Sequence, residues 1–109
     1  MGRGARMRPL RLPEKFLYIR KALGETQEGI SNRLGFSDIT REYVSGFELG
    51  TREPPLPVLL RMANIAGVYV DALIDDEVDL PEILPANPKS EGIRRTSGAK
   101  KKRLNRAQG

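Results

Sequence analysis

Apolar residues recur at helical spacing in five short runs, each bounded by glycine, proline or a capping residue. Phe16, Ile19 and Leu23 form the first run, with Pro13 suited to an opening helical turn and Gly24 to a stop. Thr26 has the chemistry of an N-cap for a second helix whose inward positions are Ile30 and Leu34 and whose end is Gly35. Val44 and Phe47, three apart, mark a third helix; Thr40 or Asp38 can cap it, and a start near Thr40 is favoured. The following G-T-R-E-P-P-L-P reads as a loop, because Pro54, Pro55 and Pro57 remove backbone donors and push preceding residues toward extended conformations. Pro57 then opens a fourth helix with a broad apolar face of Leu59, Leu60, Met62, Ala63, Ile65 and Ala66 before Gly67. A short fifth helix from about Val70 to Asp75 buries Leu73, with Ile74 as a second candidate. Five short helices with short links predict an all-α bundle.

The flanks differ from this core. Residues 1–11 mix glycine and arginine without periodicity and read as a flexible basic arm. The predicted folded domain spans 12–80. From Pro81 to Gly109 the chain is proline-containing, basic and poor in apolar residues, so most of it is expected to be a disordered basic tail. Leu80, Ile83 and Leu84 are the exceptions, able to dock on the bundle or on a partner.

Charge changes the picture once it is divided along the chain. The formal net charge is +5, but residues 1–12 carry four arginines and no acid, residues 13–80 carry a net −5, and residues 81–109 a net +6. The basicity therefore lies in the tails. Much of the acid falls between Asp71 and Glu82, a segment that can face away from a ligand. Absence of cysteine removes disulfides, thiolate metal sites and a thiol nucleophile; absence of histidine removes the commonest general base and metal ligand. No enzyme, cofactor, metal or small-molecule ligand is expected. No apolar run approaches the ~20 residues needed to cross a bilayer, and the start of the chain lacks a signal-peptide core. A cytoplasmic, nucleoid-associated protein without membrane contact is the expectation.

Two short helices joined by a tight glycine-bearing connection can offer one helix to the DNA major groove while the other braces it. The ordered pieces T-Q-E at 26–28, I-S at 30–31, L-G at 34–35, V-S-G-F-E-L-G at 44–50, R-E-P at 52–54, L-L-R-M-A at 59–63 and D-A-L-I at 71–74 resemble the lambda repressor/Cro-like helix-turn-helix family, also called the xenobiotic-response-element family. The likeness covers roughly residues 12–76. It implies a five-helix DNA-binding bundle in which Gln27 lies beside the DNA backbone and buttresses the reading helix. It also implies an internal ion pair of Arg20 with Glu48, core positions at Val44 and Phe47, Ser45 turned toward DNA, and Arg52 near phosphate. A solvated helix end is the plain alternative for Gln27.

The stretch from Gly35 to Glu48 is longer than the family's usual spacing, so F-S-D-I-T-R-E-Y must hold a lengthened turn. Counting back from Ser45 and Glu48 puts Thr40, Arg41, Glu42 and Tyr43 at the exposed start of the reading helix, where base edges are met. Arg41 suits a bidentate contact to guanine and Glu42 can accept from a cytosine amino group, unless the two form only a solvated surface pair. Gly29 and Gly46, inside helices, each cost roughly 1 kcal/mol relative to alanine, so a close approach of backbone to phosphate or to a neighbouring helix is expected there.

Two functions follow from this reading. One is a sequence-specific DNA-binding transcriptional regulator, with repression the commoner role, binding double-stranded DNA as a possible homodimer. The other is a protein-interaction module on the same fold, such as a bridging coactivator or the antitoxin of a toxin pair, using the acidic 71–82 segment. The K-K-K-R run at 100–103, with Arg94, Arg95 and Arg106, suits a nonspecific grip on phosphate or a neutral solvated tail.

Overall fold

The computed structural model describes residues 7–86 and the backbone of Ile93 and Arg94. Its helices are α1 (Leu12–Ala22), α2 (Gln27–Leu34), α3 (Arg41–Leu49), α4 (Leu56–Ala66) and α5 (Asp71–Ile74). Their limits have local causes. Pro13 sits in the first turn of α1, where its missing N–H has no partner to lose. The hydroxyl of Thr26 accepts the N–H of Gly29 at 2.9 Å and so caps α2. Gly35, with φ at 77°, ends α2 in the left-handed conformation that a side chain resists.

Phe16, Ile19, Ile30, Leu34, Val44, Phe47, Met62, Ala63 and Leu73 form a shared core without solvent exposure beyond 1%. At its centre the rings of Phe16 and Phe47 meet edge to face, 5.5 Å between centroids. α3 packs against α1 and α2, and α5 against α1 and α4. Thus α1 stands between α3 and the acidic segment that begins at α5.

The predicted face of α4 is corrected in part. Val58, Leu59, Met62, Ala63 and Ala66 are buried, but Leu60 is exposed and Ile65 only half-buried. The helix is apolar nearly all round, and a 3.6-residue period lets only one stripe meet α2 and α5. Ile74 is likewise exposed, while Leu73 fills the core.

Leu10 and Arg11 depart from the reading of a flexible arm, and past residue 80 Leu80 and Leu84 dock on the bundle as the sequence allows. Leu10 and Arg11 are tied down: both backbone N–H groups donate to the Asp76 carboxylate at 3.0 Å. The Arg11 guanidinium donates to the Asp76 carbonyl at 2.9 Å, to Asp79 at 2.8 Å and to Glu14 at 3.1 Å. These two backbone donors hold the Asp76 carboxyl below its ordinary range. The fold also continues past residue 80. Leu80, Leu84 and Ala86 pack on the core, and the Ala86 N–H donates to the Ala66 carbonyl at 2.8 Å. That approach needs Gly67, because a side-chain carbon there would overlap the backbone of Ala86. A small antiparallel pair, β1 (Val78–Asp79) with β2 (Ile93–Arg94), adds strand to an otherwise helical fold. The expected mobility of residues 1–6 and of the remaining tail lies outside the described residues.

Lys15 is the buried charge that helical periodicity does not reveal. Only 2% exposed, it donates through Nζ to the carbonyl oxygens of Ala72 at 2.8 Å and Asp75 at 2.9 Å, groups that the short α5 leaves without helical partners. Burial pushes its ammonium below the usual lysine range, with Arg11 adding to the effect. Lys15→Met keeps the apolar stem and deletes both donors. It is expected to cost about 1–3 kcal/mol, read as a lower thermal midpoint by circular dichroism; an unchanged midpoint would show that α5 does not depend on this cap.

Candidate nucleic-acid interface

Between α2 and α3 the chain makes a six-residue turn, Gly35 to Thr40, anchored by an apolar residue rather than left loose. Ile39 is buried, its N–H donates to the Phe36 carbonyl at 3.1 Å, and its own carbonyl accepts the Ser31 hydroxyl at 2.6 Å. Ser31 therefore both fits the α2–α3 contact by its small size and ties the lengthened turn to α2. The isoleucine between two turn-forming polar residues was the available sequence signal for this anchor, which the helical periodicity passed over.

α3 begins at Arg41, with Thr40 extended at its N-cap position, as expected. The cap works differently from the expected one. The Thr40 side chain bonds no α3 backbone N–H. The Glu42 carboxyl is held below its ordinary range, by its own backbone N–H first and by the Thr40 hydroxyl second. Arg41 and Glu42 approach to 3.5 Å with side chains 63% and 70% exposed. An ion pair so open to water is weak and opens readily for another partner. Thr40, Arg41 and Glu42 all stand out from the helix start, while Ser45, one turn on, is half-buried. An open cleft of about 540 Å³ runs beside them, walled by Glu28, Ser31 and Asn32 of α2.

Behind this face, Glu48 gathers three donors. Arg20 reaches it bidentately, Nε to one carboxylate oxygen at 2.7 Å and a terminal nitrogen to the other at 3.1 Å, and Gln27 Nε2 adds a bond at 3.1 Å. Arg20 also donates to the Glu25 carbonyl at 3.1 Å. The ion pair is shielded, the two side chains being 16% and 5% exposed. Gln27, the first residue of α2, is in this way fixed by α3, and the two helices keep one mutual geometry.

Tyr43 and Arg52 are brought together as a pair. The Arg52 guanidinium lies 4.1 Å from the Tyr43 ring centroid, and the tyrosine packs in turn toward Phe47 at 6.4 Å. Tyr43 is accordingly half-buried, less open than the three residues before it. The stem of Arg52 explains Gly46: a side-chain carbon at that position would come within 2.9 Å of Arg52 Cγ and Cδ. At Gly29 the neighbour is the Glu25 carboxylate, whose oxygen would overlap such a carbon. In both cases the close approach within the protein is by a side chain outside any neighbouring helix, Glu25 before α2 and Arg52 after α3. Among the seven site residues read from sequence, Thr40, Arg41, Glu42 and Ser45 share the leading part of α3, Tyr43 and Arg52 share its flank, and Gln27 braces it.

A helix-turn-helix family profile matches residues 17–73. The SPbeta prophage-derived uncharacterized HTH-type transcriptional regulator YonR of Bacillus subtilis is 35% identical over 74 residues, which is 65% of this chain and 66% of that protein. The uncharacterized HTH-type transcriptional regulator YqaE of the same organism is 38% identical over 58 residues, 53% of this chain and 47% of its own length. The chain thus spans just under two thirds of one relative and about half of the other. No solved structure matches it. Since the matched span runs from Leu17 in α1 to Leu73 in α5 and encloses the whole α2–turn–α3 unit, the chain belongs to the helix-turn-helix family, in its lambda repressor/Cro-like class.

Proposed function

We propose that this protein is a sequence-specific DNA-binding transcriptional regulator whose α3 enters the major groove, and that it acts chiefly as a repressor by occupying its operator. The observation that carries this reading is the exposed Thr40–Arg41–Glu42 cluster at the start of a helix whose rear is locked by Glu48, Arg20 and Gln27. Groove reading needs this combination of free polar tips and a rigid rod. Arg41 gives up only a solvent-exposed pair to reach a base, whereas a bidentate arginine–guanine contact supplies about 1–3 kcal/mol of discrimination. The exchange therefore favours DNA. Ser45 and Arg52 extend the surface, Gln27 borders the backbone, and the place of action is the cytoplasm, at the nucleoid.

Sequestration of acid supports the regulator over the interaction module. Asp76 and Asp79 accept from Leu10 and Arg11, so the 71–82 segment offers a basic partner less free carboxylate than its composition suggests. A homodimer on paired half-sites fits exposed Tyr69, Ile74 and Ile83. Of the three apolar residues able to dock on the bundle or on a partner, Leu80 and Leu84 are half-buried in their own domain, which leaves Ile83 for a partner.

Selection of bound sites from a random oligonucleotide pool tests all of this. The unaltered chain is expected to enrich paired half-sites whose centres lie about one helical turn apart, or multiples of it. Arg41→Ala is expected to lose about 1–3 kcal/mol of preference at one guanine while keeping salt-dependent affinity for random duplex. Failure to enrich any motif, together with no binding to random duplex at low salt, would sink the proposal.

A further inference from the structure

Arg8 and Arg52 line the same cavity, although one belongs to the N-terminal arm and the other to the loop after α3. The cavity, of about 260 Å³, is lined by Arg8, Pro9 and Leu10 of the arm and by Gly50 and Arg52 after α3. Pro13 also lines it, its Cγ 3.4 Å from where a side-chain carbon on Gly50 would sit. The arm therefore leaves α1 against the C-terminal end of the reading helix.

Three features hold it there. Two consecutive peptide N–H groups, of Leu10 and Arg11, are gathered by one carboxylate, Asp76, and Arg11 adds bonds to Asp76, Asp79 and Glu14. Pro9 restricts Arg8 before it to extended backbone, which lowers the entropy of presenting that side chain. Arg8 lies only two residues from the clasp, within ~7 Å of chain, so its position is not that of a free end. The division of labour between the arginines is also clear. Arg11 is committed to carboxylates, whereas Arg8 is exposed and has no carboxylate partner among the described residues.

We infer that Arg8 is a second backbone grip, meeting DNA phosphate beside Arg52, and that the Asp76 clasp positions the arm for it. The inference rests on the DNA-binding reading above. It gives the arm a role that the charge of residues 1–12 alone does not specify.

The test is a salt titration of binding to random duplex and to the selected site, using the full chain with Arg8→Ala, Arg8→Lys, Arg52→Ala and Asp76→Asn. Arg8→Ala is expected to weaken binding to both duplexes alike and to reduce the slope of log affinity against log salt by about 1, with sequence preference unchanged. Arg8→Lys should restore the slope. Asp76→Asn, with its fold checked by thermal melting, should lower affinity while Arg8 is still present, because the arm is no longer held. If Arg8→Ala matches the unaltered chain while Arg52→Ala loses affinity, the arm grips nothing and the inference is wrong, although the DNA-binding reading survives. Loss with Arg8→Ala but none with Asp76→Asn overturns the clasp. If the unaltered chain fails to bind any duplex at low salt, both readings fall together.

Discussion

Phe47→Ala is expected to lower the unfolding free energy by about 3–5 kcal/mol, the range for deleting a fully buried aromatic side chain. Phe47 is 1% exposed and its ring meets Phe16 edge to face at 5.5 Å, so its removal opens a void where α3 rests on α1. A domain of this size has roughly 0.05–0.15 kcal/mol of stability per residue, which makes the loss a large fraction of the total. The thermal midpoint should fall by on the order of 20 °C, and DNA binding should disappear at temperatures where the unaltered chain still binds. Phe47→Leu, which keeps most of the volume, should lose far less. A midpoint shift of only a few degrees for Phe47→Ala would mean that α3 is not seated on Phe16 as described.

Glu48→Ala should be of similar severity for a different reason. The substitution leaves the Arg20 guanidinium, 16% exposed, with the Glu25 carbonyl but without its carboxylate, and also deletes the acceptor of Gln27. Breaking a fully buried ion pair by removing one partner costs about 3–5 kcal/mol, and this shielded but not fully buried pair is expected at the low end of that range, because Arg20 keeps the Glu25 carbonyl. Replacing both partners with apolar residues, as in Arg20→Met with Glu48→Leu, should recover much of that stability. DNA affinity should not recover with it, since Gln27 has lost the bond that orients it. Calorimetry and a binding titration on the single and double variants separate the two effects. Full recovery of binding in a stable double variant would show that the Glu48–Gln27 bond has no part in the interface.

Where the candidate residues sit was largely legible because most lie on one helix whose ends are marked. Counting back from Ser45 and Glu48 placed the start of α3 at Thr40, and Arg41 and Glu42 stand exposed there. The pairing of Arg20 with Glu48 came from the family likeness, and the geometry is bidentate. Thr40 stands at the N-cap position without the side-chain bond its residue type predicts, because propensity gives the position and not the rotamer. Tyr43 and Arg52 were read as separate contacts. Nothing in their spacing reveals that the loop folds back so that one covers the other.

Taken alone, the order of residues determined the number of helices, their approximate limits, most of the inward face of each and the membership of a DNA-reading family. These depend on local facts: a hydroxyl or carboxylate before a helix, a glycine after it, and an apolar period of 3.6. Tertiary structure decided which side of α4 is buried, how Lys15 is spent and where the arm and residues 81–86 lie. Lys15 finds its acceptors 57 and 60 residues away, Arg11 its acid 68 residues away, and Ala86 its carbonyl at Ala66. Such bonds form only after the chain has folded back on itself, so no window of sequence contains both partners. A buried lysine and a clasped arm become visible only once the helices are packed.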